Sequence, residues 1–569
     1  MARHLITSAL PYINGVKHLG NLVGSMLPAD VYARYLRQRG HDVLFICATD
    51  EHGTPAELAA AEAGLDVAEY CAQQHRIQAD INVRFGLSFD HFGRSSSRQN
   101  EELTCHFAEQ LRDNDMLDER VTTQLYSPDD GRFLPDRYII GTCPHCGYDR
   151  ARGDQCENCA RLLEPAQLKN PRSAISGSTN LEPRSTSHLF IRQSKMVDRI
   201  RLWIDSHNDW PILVTSIARN WLQVGLEDRS ITRDLKWGFP VGWPGYEDKV
   251  FYVWFDAPIE YLGATKEWAD KDPANRDWRS WWYEADDVRY VQFMGKDNIP
   301  FHSINFPVTI MGSGEPWKLV DYIKGFNYLT YYGGKYSTSE HRGVFMDDAL
   351  ELLPADYWRY ALLANAPESD DSEFTWEGFA LTVNKDLAGI FGNFVQRTLK
   401  LTASKFGEAV PDGGEWTDIE TELAASVDRA IADFATEMEA MRYRQAAFAL
   451  RTLWTQGNLY LDRTAPWNES DRGRLAVVLR TAINLARIES IVSAAFVPFA
   501  SDRLAAELGL NEGERAWPGP AAQELRRMQP GRSFHIGDAL FPRIGDRSSL
   551  RSWVSEMEAR FGGPAVPVG

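Results

Sequence analysis

Residues 3–21 read RHLITSALPYINGVKHLGN, and the order of elements in this stretch decides the fold. Residues 3–9 have the composition of a short buried strand, and Pro11-Tyr12-Ile13-Asn14-Gly15 ends it with a turn. From about His18 the apolar positions Leu22, Met26, Ala29, Ala33 and Leu36 recur at helical spacing. Gly40 supplies a helix stop. A second apolar strand runs from Asp42 to Ala48, with Thr49-Asp50-Glu51-His52-Gly53-Thr54 just beyond it. Strand, helix, strand in this order predicts a parallel α/β sheet of Rossmann-like type. Ligands bind such sheets beyond the carboxyl ends of the strands.

Further along, regular alternation breaks over residues 118–190, which read as an insertion. Residues 249–256 (KVFYVWFD) and 288–294 (VRYVQFM) read as strands of the resumed sheet. From about residue 376 the period is helical. Phe434, Met438, Met441 and Phe448, and Leu475, Leu479, Ala482 and Ala486, form apolar stripes expected to pack as a bundle core. Residues 562–569 read as a loose tail.

Composition narrows the function classes. The chain has 569 residues, 44% hydrophobic and 25% charged, with a formal net charge of −18. That charge excludes a protein that coats nucleic acid non-specifically, and it leaves room for a local basic face. DNA is not an expected partner. No segment has the length and apolarity of a signal peptide or a membrane span. The expected location is the cytoplasm, without membrane association.

Four of seven cysteines, Cys143, Cys146, Cys156 and Cys159, are spaced C-x2-C-x9-C-x2-C. Two CxxC hairpins bring four thiolates to one tetrahedral Zn2+, which leaves no open position and makes the ion structural. Reduced thiols without metal are the alternative. Cys47, Cys71 and Cys105 read as interior thiols.

The turn after the first strand also carries chemistry. A helix N-terminus offers unpaired N–H groups to phosphate. His18 can donate to phosphate oxygens, Asn21 can add a hydrogen bond, and Gly20 lets a flat adenine approach the backbone. Over 300 residues later, Gly333-Gly334-Lys335-Tyr336-Ser337-Thr338-Ser339 combines glycines, a cation and hydroxyls suited to closing on a triphosphate. His535-Ile536-Gly537, a His-Xaa-Gly like His18-Leu19-Gly20, lies in the C-terminal region away from any strand-to-helix turn and reads as incidental.

Together the two constellations resemble the paired signatures of class I aminoacyl-tRNA synthetases, usually written HIGH and KMSKS. Asn21 stands where the first signature ends in His, and Thr338 where the second has its second Lys. Lys335 then carries the electrostatic role, with His341 or Arg342 as possible assistants. TSALPYINGVKHLGN (7–21), FICATDEHGTP (45–55), FYVWFDAPIEYLG (251–263) and GKDNIPFH (295–302) narrow the resemblance to the methionyl-tRNA synthetase family.

The resemblance implies a methionine--tRNA ligase that uses Mg2+ with ATP to form methionyl-adenylate and then charges tRNA(Met), initiator tRNA included. Catalysis falls to His18, Asn21, Lys335 and Thr338. ATP binding falls to these with Gly20, Gly295, Asp297, Ser337 and Ser339. Leu10, Tyr12, Trp254, Ala257, Pro258 and Tyr261 supply an apolar and aromatic wall that suits a thioether. Asp50 can hold the substrate ammonium. By family likeness His302 lies at the side-chain end of the slot. In the helical region Asn393, Arg397 and Trp467 resemble the family's anticodon readers.

The expected architecture is a Rossmann-like α/β catalytic domain in two halves (1–117 and 231–325) around a zinc-binding connective insertion (118–230). A loop and stem-contact region (326–375) and an α-helical bundle anticodon-binding domain (376–569) follow. A monomer is expected.

Overall fold

The structure is a computed structural model that describes residues 2–153, 156, 158–159, 161, 163, 165–338, 342–545 and 549–563. Its central sheet has five strands: β1 (Arg3–Ser8), β2 (Asp42–Thr49), β3 (His91–Arg94), β4 (Val288–Gly295) and β5 (Tyr322–Phe326). The order is β5-β4-β1-β2-β3 and every pairing is parallel. Side chains alternate between the faces. Ile6, Phe45, Val291 and Phe293 pack on one side, and Leu5, Leu44, Tyr290 and Ile323 on the other. Both faces are therefore covered, as a parallel sheet requires.

The connection from β1 to β2 is helical. A short turn of helix, Leu19–Asn21, widens at Leu22–Met26 and continues as α1 (Leu27–Gln38). Strand order reverses between β1 and β4, so the crevice for a ligand opens there, at the carboxyl ends of the strands. The segments after β1, β2, β4 and β5 all emerge on that edge.

One sequence expectation fails here. KVFYVWFD is not a strand of the sheet. Only Val250–Phe251 is extended, paired antiparallel with Thr232–Arg233, and helix α2 (Val253–Asp270) begins at once. The aromatic and β-branched residues that suggested a strand are spaced for a helix face. Pro258 lies inside α2 and donates no hydrogen bond back to the preceding turn.

The insertion is built on two long antiparallel strands, Leu117–Ser127 and Glu182–Ile191. Between them Ile139–Thr142 pairs with Ala151–Arg152 and Lys169–Ser173 around the cysteines. Beyond residue 376 the chain is mainly helical. It includes α3 (Asn393–Phe406), α4 (Asp418–Glu439), α5 (Tyr443–Thr464) and α6 (Arg472–Ser493).

Phe434, Met438 and Met441 are buried there, but Phe448 is 61% exposed. Met441 has a left-handed backbone (φ +52) in the turn between α4 and α5, so a seven-residue spacing counted across it loses phase. The last helix, Leu550–Phe561, returns to the catalytic half, where Tyr331 donates to the Gly562 carbonyl. Residues 564–569 of the expected tail lie outside the described residues. Among the described residues no helix is long and apolar enough to cross a membrane.

Candidate active site

At the carboxyl edge of the sheet lies a cavity of about 550 Å3. Its floor comes from the two first connections. The backbones of Tyr12 and Asp50 pair, with the Asp50 N–H donating to Pro11 O (2.9 Å) and the Ile13 N–H to Asp50 O (2.9 Å). Asp50 Oδ1 is sealed from solvent and has no hydrogen-bond partner. Burial, with Asp256 and Glu51 nearby, pushes its carboxyl well above the usual range. An ammonium ion placed against the part of this carboxylate that faces the cavity would lower that penalty.

The apolar wall is one face of α2. Trp254, Ala257, Pro258 and Tyr261 are spaced i, i+3, i+4 and i+7, and all four line the cavity with Leu10 and Tyr12. Trp254 meets Phe301 edge-on at 5.0 Å. At the closed end His302 Nδ1 lies 2.9 Å from the Asn298 carbonyl, which only accepts, so Nδ1 carries the hydrogen. Nε2 then accepts from the Tyr261 hydroxyl at 2.8 Å. Burial lowers the His302 pKa to about 4, which keeps the ring neutral. The slot thus ends in a satisfied, uncharged polar pair, compatible with a thioether and unfavourable to a charged side chain.

The nucleotide side is built by helix capping. His18 is the N-cap of Leu19–Asn21. Its Nδ1 accepts from the Asn21 N–H (3.2 Å), and its own N–H donates to Asn21 Oδ1 (3.3 Å). Nδ1 is an acceptor, so the neutral ring carries its hydrogen on Nε2, free to donate. Burial, with Lys17 adjacent, lowers this pKa to about 4.

A Cβ on Gly20 would sit 3.0 Å from His18 Nδ1, so glycine keeps this corner open. Gly334–Lys335 pairs antiparallel with Leu329–Tyr331, and the following Tyr336 stacks on the His18 ring at 4.8 Å. The glycine-rich segment up to Tyr336 is therefore a hairpin docked on the first motif, where the sequence suggested a loop closing on a triphosphate. Lys335, Thr338, Gly295 and Asp297 also line the cavity. Ser337 does not line it but bridges to Arg342, and Ser339 lies outside the described residues.

Among the residues the sequence reading did not single out, Asn14, Lys17, Asn298, Phe301, Tyr328 and Tyr336 line the same cavity. All of these except Tyr328 sit inside the quoted motifs. A sequence shows that a turn exists, but not which of its side chains point inward. His52 and Asp256 lie behind the wall. Their side chains bond each other, and the His52 carbonyl accepts from the Tyr12 hydroxyl, tying floor to wall. His535 is exposed beside Glu408 and plays no part.

The cysteine cluster fits a metal. All four sulfurs lie within 4.8 Å of one another, with Cys146–Cys156 at 3.5 Å and Cys143–Cys159 at 3.9 Å. Four Zn–S bonds of about 2.3 Å in a tetrahedron place sulfurs roughly 3.8 Å apart. His145 is turned to Arg161. Far from the cavity, α3 and α5 bring the three candidate anticodon readers together. Asn393 and Arg397 both contact Asn458 Oδ1 (3.0 and 3.5 Å), and Arg397 lies over the half-exposed Trp467 ring at 5.0 Å.

Residues 4–399 match the family described as tRNA synthetases class I (M), and residues 410–565 match the anticodon binding domain of methionyl tRNA ligase. The chain belongs to the methionine--tRNA ligase family of class I tRNA synthetases. Methionine--tRNA ligases of Streptomyces avermitilis and Caulobacter sp. are each 59% identical to it. Each alignment covers 99% of this chain and 100% of the relative. In fold it is similar to Mycobacterium tuberculosis methionyl-tRNA synthetase in complex with methionyl-adenylate. The TM-score is 0.76 at 24% identity, over 95% of this chain and 100% of that one. The chain therefore carries a class I catalytic sheet with an inserted four-cysteine site and, after it, a helical anticodon-binding region.

Proposed function

We propose that the chain activates L-methionine with ATP in the cavity above Asp50 and transfers it to the 3′ end of tRNA(Met), initiator and elongator alike. The observation that carries this reading is the Asp50 carboxylate on the floor of an aromatic-walled cavity, with the His18 turn and the Lys335 hairpin over the same cavity. Asp50 holds the substrate ammonium, and the α2 face with Leu10, Tyr12 and His302 receives the unbranched thioether.

ATP enters as its Mg2+ complex. A carboxylate oxygen of methionine attacks the α-phosphorus, the bond to the β-phosphate oxygen breaks, and pyrophosphate leaves with the electron pair. The protein moves no proton in this step. His18 Nε2–H and Asn21 donate to phosphoryl oxygens, and Lys335 with the Thr338 hydroxyl faces the departing pyrophosphate. Gly20, Gly295 and Asp297 border the nucleoside. Such catalysis is positioning plus charge stabilisation.

In the second step a terminal ribose hydroxyl of tRNA attacks the activated carbonyl and AMP leaves. One Zn2+ on Cys143, Cys146, Cys156 and Cys159 holds the inserted knuckle. Asn393, Arg397 and Trp467 read splayed anticodon bases by edge hydrogen bonds and stacking. The division at residues 117, 230, 325 and 375 follows these roles, and the enzyme works as a cytoplasmic monomer.

The test is amino-acid-dependent exchange of pyrophosphate into ATP. Methionine is expected to drive it at least about 100-fold better than leucine or isoleucine, because a branched chain cannot enter the slot. Exchange supported best by cysteine, or independent of any amino acid, would overturn the reading.

A further inference from the structure

Lys17 has an unusual position. The residue is 6% exposed, yet it lines the cavity beside Asn14, His18 and Asp50. Its Nζ donates to Asn14 Oδ1 at 3.2 Å. An ammonium has three hydrogens, and a single neutral amide does not satisfy them. Among the described residues lining the cavity, Lys17 and Lys335 are the basic side chains other than histidine. They occupy opposite situations, since Lys335 is exposed on the hairpin while Lys17 is sealed into the floor.

Lys17 and Asp50 are near enough to interact electrostatically across that floor, each moving the other toward its charged form. Amino acids are zwitterions whose ammonium and carboxylate share one carbon. A floor that carries one carboxylate and one ammonium, near enough to act on each other without an ion-pair contact, is complementary to that pair of charges. Asp50 faces the ammonium, so the cation of the same floor faces the carboxylate.

We infer that Lys17 is a substrate-binding catalytic residue whose ammonium holds the methionine carboxylate and stays on that oxygen as it becomes the bridging oxygen of the acyl-phosphate. The bond that forms joins this oxygen to the α-phosphorus and the bond that breaks releases pyrophosphate. Lys17 remains protonated and contributes charge and direction only. Burial lowers its pKa to about 7, partly opposed by Asp50, so the empty site holds this proton weakly and an incoming anion tightens it. Lys335 serves the departing pyrophosphate at the other end of the reaction axis. The inference rests on the assignment of methionine to this cavity.

The experiment compares methionine with methioninol, which keeps the ammonium and thioether but lacks the carboxylate. Calorimetric affinities are measured for the wild-type full chain and for Lys17→Met. A charge-assisted hydrogen bond gives wild type a preference for methionine over methioninol of roughly tenfold or more. In Lys17→Met that ratio is expected to fall toward one, with methioninol bound as in wild type, and Lys17→Arg is expected to restore part of it.

Methioninol binding is the folding control, because a collapsed site loses both ligands. In that case Lys17→Gln, which keeps a hydrogen-bond donor without charge, takes its place with the same expectation. A ratio unchanged in a variant that still binds methioninol would overturn the role of Lys17. Failure of wild type to bind either ligand would instead overturn the methionine assignment.

Discussion

Asp30 and Asp50 bury the same carboxylate in two regions of the molecule, with opposite treatment. Asp30 on α1 is fully buried where the catalytic sheet, the segment Ala355–Ala364 and the helical region meet. It accepts from Arg359 (2.7 Å), Arg34 (3.0 Å), and the Ser88 N–H and hydroxyl (2.6 Å each). Burial alone would raise its pKa, but the two guanidiniums and Ser88 hold it below the ordinary value. Arg359 is equally buried and also donates to the carbonyls of Phe85, Gly86, Ala495 and Phe496. Asp50 has an oxygen with nothing to accept from, and its carboxyl is pushed up. A buried charge fully answered by its own chain is a rivet; one left unanswered at a cavity marks where a substrate belongs.

The comparison can be broken most strongly at the rivet. Arg359→Met leaves Asp30 buried with only part of its partners and is expected to cost about 3–5 kcal/mol of stability in urea titrations. Replacing both residues (Asp30→Asn with Arg359→Met) is expected to recover much of that loss. A single variant as stable as wild type would remove the distinction between the two regions.

A smaller effect sharpens the comparison at a third carboxylate. Glu489 in α6 is fully buried, neither oxygen has a partner, and it lines no described cavity. Burial raises its pKa well above the ordinary value, so the folded protein keeps this proton to higher pH than the unfolded chain does. The unfolded chain ionises it near pH 4.3, so its contribution is full below that pH and declines as pH rises. The decline is at most about 1.4 kcal/mol per pH unit. Glu489→Gln abolishes this term. The stability of the variant relative to wild type is therefore expected to increase between pH 5.5 and 7.5, with methionine-dependent exchange unchanged. A pH-independent difference would show that Glu489 is answered by a group in the native protein.

Much of this was legible from residue order. β1, the turn at 11–15, the helix and β2 announced a parallel sheet, and β4 followed from 288–294. The paired signatures and the four cysteines stood out because their chemistry needs short, fixed spacings. β3 and β5 were not noticed, being short strands without a distinctive pattern. KVFYVWFD misled because aromatic, β-branched residues favour strands locally, while tertiary packing placed them at the start of α2. Its period of 254, 257, 258 and 261 was the signal that could have been used. The docking of Tyr336 on His18, the inward turn of Lys17 and the Arg359 rivet depend on contacts between residues distant in sequence or on side-chain direction. Neither is visible in one sequence.

Asp50→Asn offers the most direct measurement, with urea stability and methionine-dependent pyrophosphate exchange read on the same preparation. Removing a carboxyl that its own chain leaves unanswered is expected to leave stability equal to wild type or higher, while kcat/KM for methionine falls by about 30-fold to 1,000-fold as the ammonium loses its anion. Lost stability comparable to that of Arg359→Met, with exchange near the wild-type rate, would contradict a substrate-facing Asp50.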